Sequence, residues 1–182
     1  MSGYDVRPAR AADLPALAAV ERAAQAMFAH VGMPELADAP VLSLAEVERY
    51  AAEGFVAVAE HVRDGVVGFV VVRPLGGAAH VQEIDVHPDH GRQGLGRALL
   101  DRALDWARES GYRDTTLSTF RDVPWNAPFY ARVGYRALAP EDAAPELRAL
   151  REHEAADQLP LERRVLMTMA LGRNIPTPKA FK

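Results

Sequence analysis

Hydrophobic and polar positions follow two rhythms along the chain, and the switches between them divide it into strands and helices. Residues 4–7 form a short candidate strand. A helix then opens with Asp13 as N-cap and runs to about Met27, with Leu14, Leu17, Ala18, Val20 and Ala24 on its apolar side. Gly32, Pro34 and Pro40 mark 29–42 as a connecting loop. Ser43 with Glu46 three residues later is a capping box, so a second helix is expected to run to Glu53, where Gly54 stops it. Three strand-like runs follow at 55–60, 66–72 and 79–86, the first two joined as a hairpin through Asp64-Gly65.

The period then lengthens from two to 3.6. Leu95, Leu99, Leu100, Ala103, Leu104 and Ala107 line one side of a helix that ends at Ser110-Gly111, with Trp106 expected to join the core. Residues 115–120 are β-branched and strand-like, 129–133 fall in a short helix ending at Gly134, and 135–138 begin another strand. A helical stretch near 145–156 lies within the polar segment 140–160, and its run 148–154 reads as a solvated face. Residues 164–171 make the last strand and 174–182, with two prolines, a loose tail. No segment repeats, and 182 residues suit a single domain over 1–173. The pattern is α/β, with antiparallel pairs in its first half and a strand–helix–strand crossover in its second.

Composition narrows the function classes. Hydrophobic residues make up 49% and charged residues 25%, as in globular proteins, and apolar runs such as Phe69-Val70-Val71-Val72 fall far short of the ~20 residues of a membrane span. Cysteine is absent, which excludes disulfides, thiolate catalysis and cysteine-built zinc sites. The start, Met1-Ser2-Gly3-Tyr4-Asp5, lacks the basic and apolar segments of a secretory leader, so a cytoplasmic protein is expected. The net charge of −4 argues against nucleic-acid and anionic-membrane partners, so an anionic ligand requires a local site. Lysine occurs only at 179 and 182 against 19 arginines; together with the abundance of alanine this fits base composition of the gene better than phosphate recognition, which is left to be judged position by position.

Such a local site lies between the third strand run and the long helix, in Val86-His87-Pro88-Asp89-His90-Gly91-Arg92-Gln93-Gly94-Leu95-Gly96-Arg97. Glycines at 91, 94 and 96 leave backbone amides uncovered where the helix dipole is positive, and Arg92 and Arg97 add full charges. A dinucleotide fingerprint would need glycine where Leu99 stands, and a nucleotide-triphosphate loop would need Gly-Lys-Ser/Thr. A purely structural glycine turn is the remaining alternative. His87-x-x-His90 has no third ligand nearby in sequence, so no metal is expected.

The segment resembles the coenzyme A pyrophosphate loop of the GNAT acetyltransferase superfamily, Gln/Arg-x-x-Gly-x-Gly/Ala. Gly94 and Gly96 fill the small positions, and Gly91 stands where the family has Gln or Arg. Phe129-Tyr130-Ala131-Arg132-Val133-Gly134-Tyr135 is similar to the family's Phe-Tyr-x-x-x-Gly-Phe helix signature, and the order of elements agrees from 4 to 171. The resemblance implies a GNAT fold, a mixed and mostly antiparallel sheet flanked by helices. It also implies direct transfer of an acetyl group from acetyl-CoA, as cosubstrate, to an amine, with expulsion of the CoA thiolate. Val86 and the strand backbone near 84–86 would orient the pantetheine arm, and Gly91, Arg92, Gln93, Gly94, Leu95, Gly96 and Arg97 would hold the pyrophosphate, with Arg132 a further phosphate candidate. Asn126 would bond the arm, although the common family asparagine stands seven residues before the tyrosine, where this chain has Val123.

Tyr130 is the implied general acid toward the departing sulfur. A lysine-like acceptor costs about 4.6 kcal/mol to deprotonate at pH 7, so a base is useful. Alternation puts His80 and Gln82 on one strand face and Glu83 and Asp85 on the other. The family's acid falls at Gln82, which cannot take a proton, so Glu83 is the first choice if a bulge rotates the strand, with His80 acting through water as the second. The acceptor side would be built from loop 29–42 and segment 138–162, with Phe28, His30, Glu35, Asp38 and Trp125 in reach of a small-molecule amine. A protein or peptide acceptor, a non-catalytic CoA-binding module and a pure interaction protein are the alternatives. A homodimer is suggested by analogy alone.

Overall fold

The computed structural model describes residues 3–156 and 159–172; the expected tail 174–182 lies outside the described residues. Strands β1 (Tyr4–Pro8), β2 (Phe55–His61), β3 (Gly65–Leu75), β4 (Ala78–Val86), β5 (Asp114–Phe120), β6 (Arg136–Ala137) and β7 (Arg164–Ala170) form one sheet in the order β1-β2-β3-β4-β5-β7-β6. All neighbours are antiparallel except β4 and β5, which are parallel and joined through helix α3 (Leu95–Glu109). This is the mixed, mostly antiparallel sheet that the sequence predicts. Helices α1 (Leu17–Gln25) and α2 (Leu44–Glu53) cover one face, burying Leu17, Val20, Val47 and Tyr50 against Val58, Phe69 and Val71. On the other face α3 buries its predicted stripe, Leu95, Leu99, Leu100, Ala103, Leu104 and Ala107, beside α4 (Ala127–Val133). Trp106 stacks on Phe55 with ring centroids 5.5 Å apart at the margin of that core. Among the described residues no helix is long and apolar enough to cross a membrane.

Several boundaries differ from the sequence reading for identifiable reasons. Pro15 interrupts the expected helix from Asp13 to Met27: residues Ala11–Ala16 form a 3-10 turn and α1 begins only at Leu17. Asp13 therefore caps that turn, accepting from the Arg10 amide at 2.6 Å and from the Arg7 guanidinium at 2.6 and 2.9 Å. Loop 29–42 contains half of one 3-10 turn, Ala26–Val31, and all of another, Pro34–Asp38. β3 runs on through Pro74 to Leu75, and the strand expected over 135–138 shortens to Arg136–Ala137. Helix α5 (Pro145–Ala156) matches its expected span, but Glu154 is buried rather than solvated because it pairs with Arg164 of β7 at 2.8 Å.

The largest departure lies in β4. Val71 of β3 faces Glu83, while the next residue, Val72, faces Val81, so Gln82 is an unmatched residue in a β-bulge. The bulge resets the alternation: Ala79 and Val81 before it and Ile84 and Val86 after it all face the α3 core. Simple alternation separates His80 from Glu83 and Asp85; the bulge puts all three on the α1 side. Gln82 itself accepts from the Arg73 guanidinium at 2.7 Å. Beyond Val81 the sheet also opens. β4 and β5 pair only over Ala79–Val81 and Thr115–Leu117, and the strands then diverge into a cleft.

Candidate active site

Val86 ends β4 at the mouth of this cleft, and the chain turns there into α3. In the 3-10 turn Pro88–His90 the His90 amide donates to His87 O and the Gly91 amide to Pro88 O, at 2.9 and 3.0 Å. Gly91 thus serves the turn, since a Cβ there would stand 3.0 Å from Pro88 O, and its amide is engaged within the chain. Arg92, with φ of 58°, is the only non-glycine residue with a left-handed backbone among the described residues, and Gly94, with φ of 79°, is the N-cap of α3. The first helical bond runs from Ala98 N–H to Gly94 O. Among the described residues nothing accepts from the backbone N–H groups of 92–97, so Arg92, Gln93, Gly94, Leu95, Gly96 and Arg97 leave their donors at the positive end of a 15-residue helix.

The side chains of this segment go elsewhere. Leu95 is buried in the core, Arg97 lies along the helix against Asp101 at 2.8 Å, and Arg92, Gln93 and Arg132 are exposed. Gly96 adopts no left-handed φ, and a Cβ on it would meet nothing within 4 Å. Neither the backbone nor packing demands glycine there; its effect is to leave open the space over the free amides. That donor set fits the pyrophosphate of coenzyme A.

Tyr130, on α4, packs in the same core cluster as Val81 and Leu117, the last paired residues of β4 and β5. Its ring is 7% exposed, set edge-on to Phe129 and Tyr135 with centroids 5.1 and 5.8 Å away. Its hydroxyl has no hydrogen-bond partner among the described residues, whereas that of Tyr135 is bonded to Thr115 Oγ1 at 2.8 Å. Burial, then the negative charge of Glu83, hold the Tyr130 phenol well above its usual pKa, so it stays protonated. Asn126 fixes this helix through its backbone, its carbonyl accepting from the Phe129 and Tyr130 amides at 2.8 and 3.1 Å, and its half-buried side chain makes no capping bond. Val123 is buried in an apolar cluster with Met33, Leu36 and Phe120.

Three carboxyl groups gather on the α1 side of β4. Glu83 and Asp85 are joined there by Glu21 of α1, which is 4% exposed and whose Oε2 accepts from the Leu42 amide at 3.0 Å. Burial, then the charge of Glu83, push Glu21 up to about 8. Burial raises Glu83 against the pull of Arg164, and burial with repulsion from Glu83 and Glu21 raises Asp85. Burial thus favours the protonated form in all three groups, and their mutual repulsion makes them titrate as a set. His80, fully buried with Nδ1 at 2.9 Å from Thr116 Oγ1, is pushed down to about 3 by burial and by Arg73 and Arg164, which leaves it a poor base. Because Glu21 binds its proton more tightly folded than unfolded, it lowers stability as pH rises from about 4.5 through about 8. Glu21→Gln is expected to raise stability by about 1–2 kcal/mol at pH 8 and to change it little at pH 4. Urea melts at both values check this, and an equal effect at both would refute it.

Comparison with known proteins converges with this geometry. The acetyltransferase (GNAT) family profile matches residues 17–135, which hold the cleft, the amide loop and Tyr130. The chain belongs to the GNAT acetyltransferase family. Among solved structures similar to this GNAT chain is N-acetylglutamate synthase from Neisseria gonorrhoeae, complexed with coenzyme A and N-acetyl-glutamate, with 15% identity and a TM-score of 0.68 over 95% of this chain; the match spans 36% of that protein's chain. An acetyltransferase from Streptococcus agalactiae matches at 18% identity and TM-score 0.68 over 94% of this chain and 100% of its own. The ribosomal-protein-S18-alanine N-acetyltransferase from Escherichia coli matches at 17% and 0.62, over 98% and 99%.

In this GNAT domain the segment after α1 crosses to the end of β5. Met33 and Leu36 pack with Phe120 and Val123, and Phe28 lies 5.3 Å from the Phe120 ring and 6.0 Å from that of Trp125. His30, Glu35 and Asp38 are exposed on this wall. Arg164 covers the same Phe120 ring at 4.8 Å and donates to Ser118 O at 3.1 Å and to Glu154. Arg164 Nε and Glu154 Oε2 are buried without partners among the described residues. Sequence reading misses Glu21, although its signal is present: it falls on the stripe Leu14, Leu17, Glu21, Ala24, the only charged residue on the apolar side of α1. Arg164 and Glu154 carry no comparable signal, because their pairing depends on where α5 docks.

Proposed function

We propose that the protein transfers an acetyl group from acetyl-CoA to the primary amine of a small molecule by direct attack, with both substrates bound. The reading rests on the run of unpaired amides at 92–97, which follows the unpaired end of β4, together with the partnerless hydroxyl of Tyr130. The coenzyme supplies the acyl group as an activated thioester. The amides hold its diphosphate, and the β4 edge near 84–86, unpaired toward β5, orients its arm. Glu83 accepts the amine proton, directly or through water, as part of the carboxyl trio. Tyr130 keeps a proton on its hydroxyl and presents it to the leaving sulfur.

Two observations favour a small cationic acceptor. The half-buried Glu83 and Asp85, once ionised, attract an ammonium group and then take up its proton, and the aromatic contact of Phe28 with Phe120 and Trp125 offers an apolar surface for the body of a small amine. An amine panel followed by release of free CoA thiol tests the reading. Turnover of small amines supports it; turnover of peptides alone would assign a protein acceptor, and acetyl-CoA binding without any turnover would assign a non-catalytic module. Because burial raises the carboxyl base, kcat/KM is expected to rise with pH along a limb displaced upward from the ordinary carboxylate range. Glu83→Gln should lower kcat roughly tenfold and flatten that limb, with Asp85 and Glu21 limiting the loss. A limb unchanged in this variant would move the base elsewhere.

A further inference from the structure

The hairpin between β2 and β3 folds back on the turn that leads into the amide loop. There His61 and Asp64 from the hairpin meet His90 from the turn, and their three ligand atoms lie within 4.8 Å of one another. Sequence spacing offers His90 only His87 as a neighbour; the fold brings the two other groups from a different element. We propose that His61, Asp64 and His90 form a binding site for a divalent first-row transition ion of the zinc type.

Four features carry the assignment. Two imidazoles and one carboxylate are a donor set suited to zinc, with a fourth position left for water. A tetrahedral ion with bonds of about 2.0–2.1 Å holds its ligand atoms about 3.3 Å apart. His90 Nε2 is 3.6 Å from Asp64 Oδ2, close to that spacing, and His61 Nδ1 is 2.5 Å from the same oxygen, a gap now bridged by a hydrogen that the ion would replace.

The third feature is orientation. Tyr4 Oη sits 3.0 Å from His90 Nδ1, so with the proton on Nδ1 the ring donates to the phenol and turns the lone pair of Nε2 toward Asp64. The His61 ring is clamped beside Tyr4 at 4.8 Å between centroids. Access is the fourth feature. The imidazoles are nearly enclosed, at 12% and 14% side-chain exposure, whereas Asp64 is 50% exposed. An open depression lined by Asp64, Val66, Val67, His87, Asp89 and His90 leads to it. An ion here would fasten the hairpin to the residue preceding Gly91, outside the reaction cleft.

Calorimetric titration of the untagged, metal-stripped full chain with Zn2+ tests the site, with Co2+ as a spectroscopic probe. One equivalent should bind with Kd below about 10 µM, and Co2+ should develop the absorption bands of a four-coordinate N/O site. Asp64→Asn and the double variant His61→Gln/His90→Gln should each weaken binding at least tenfold. Tyr4→Phe should weaken it about tenfold through the ring it orients, and His87→Gln should leave it unchanged. Circular dichroism and Tm confirm that each variant is folded. Absence of binding to the wild-type chain would overturn the proposal, as would one equivalent that persists in the folded double variant.

Discussion

Tyr130→Phe is expected to lower kcat on the order of 10²–10³-fold while the protein folds as before. The ring is what packs: it is buried edge-on between Phe129 and Tyr135, and phenylalanine preserves those contacts. The hydroxyl bonds to none of the described residues, so its removal strands no donor or acceptor, and Tm should move little. Tyr135→Phe is the control. It removes the bond to Thr115 and should cost about 1 kcal/mol of stability with kcat retained. Steady-state kinetics and thermal melts of both variants separate the roles, and a Tyr130→Phe enzyme with wild-type kcat would remove the phenol from the proton transfer.

Gly96→Val is expected to weaken acetyl-CoA binding by on the order of 10²-fold without loss of stability. A helical Cβ tilts toward the N-terminus, which at this position points it into the space in front of the amides of 92–97. Loss of two hydrogen bonds to a charged diphosphate, at roughly 1.5–3 kcal/mol each, is enough for such a drop. The folded chain has room for the side chain, since a Cβ at this position would have no atom within 4 Å, and glycine inside a helix is itself unfavourable by up to about 1 kcal/mol. Calorimetry with acetyl-CoA, beside a thermal melt, distinguishes a blocked site from a damaged fold. Unchanged affinity would take the diphosphate away from this helix end.

What can be read from the sequence divides along physical lines. The α3 stripe, the Ser43–Glu46 capping box and the glycine-rich entry to α3 are local, and each forms as its short-range pattern requires. Tyr130 belongs with them, because its neighbours in sequence are its neighbours on the helix. The β4 bulge is foreseeable only as a condition: an extra residue shows itself when a partner strand sets the register, and Val71 and Val72 supply that partner. Once Gln82 is taken out of the alternation, His80, Glu83 and Asp85 change company, and the carboxyl trio with Glu21 follows. Pro15, by contrast, is visible in the sequence, and its ring and missing N–H move the start of α1 to Leu17 against the apolar periodicity. The His61–Asp64–His90 group joins three residues from two elements, and only the fold brings it together.

The short pairing of β4 with β5 has a mechanical consequence. Three residues on each strand form the only backbone ladder between a four-stranded half-sheet, β1 to β4, and a three-stranded half, β5, β7 and β6, among the described residues. Whatever occupies the side where the ladder stops touches both halves at once. Ligand binding there acts as a staple, so amide exchange along the facing edges of β4 and β5 should slow in both halves together while the outer strands β1 and β6 register little change.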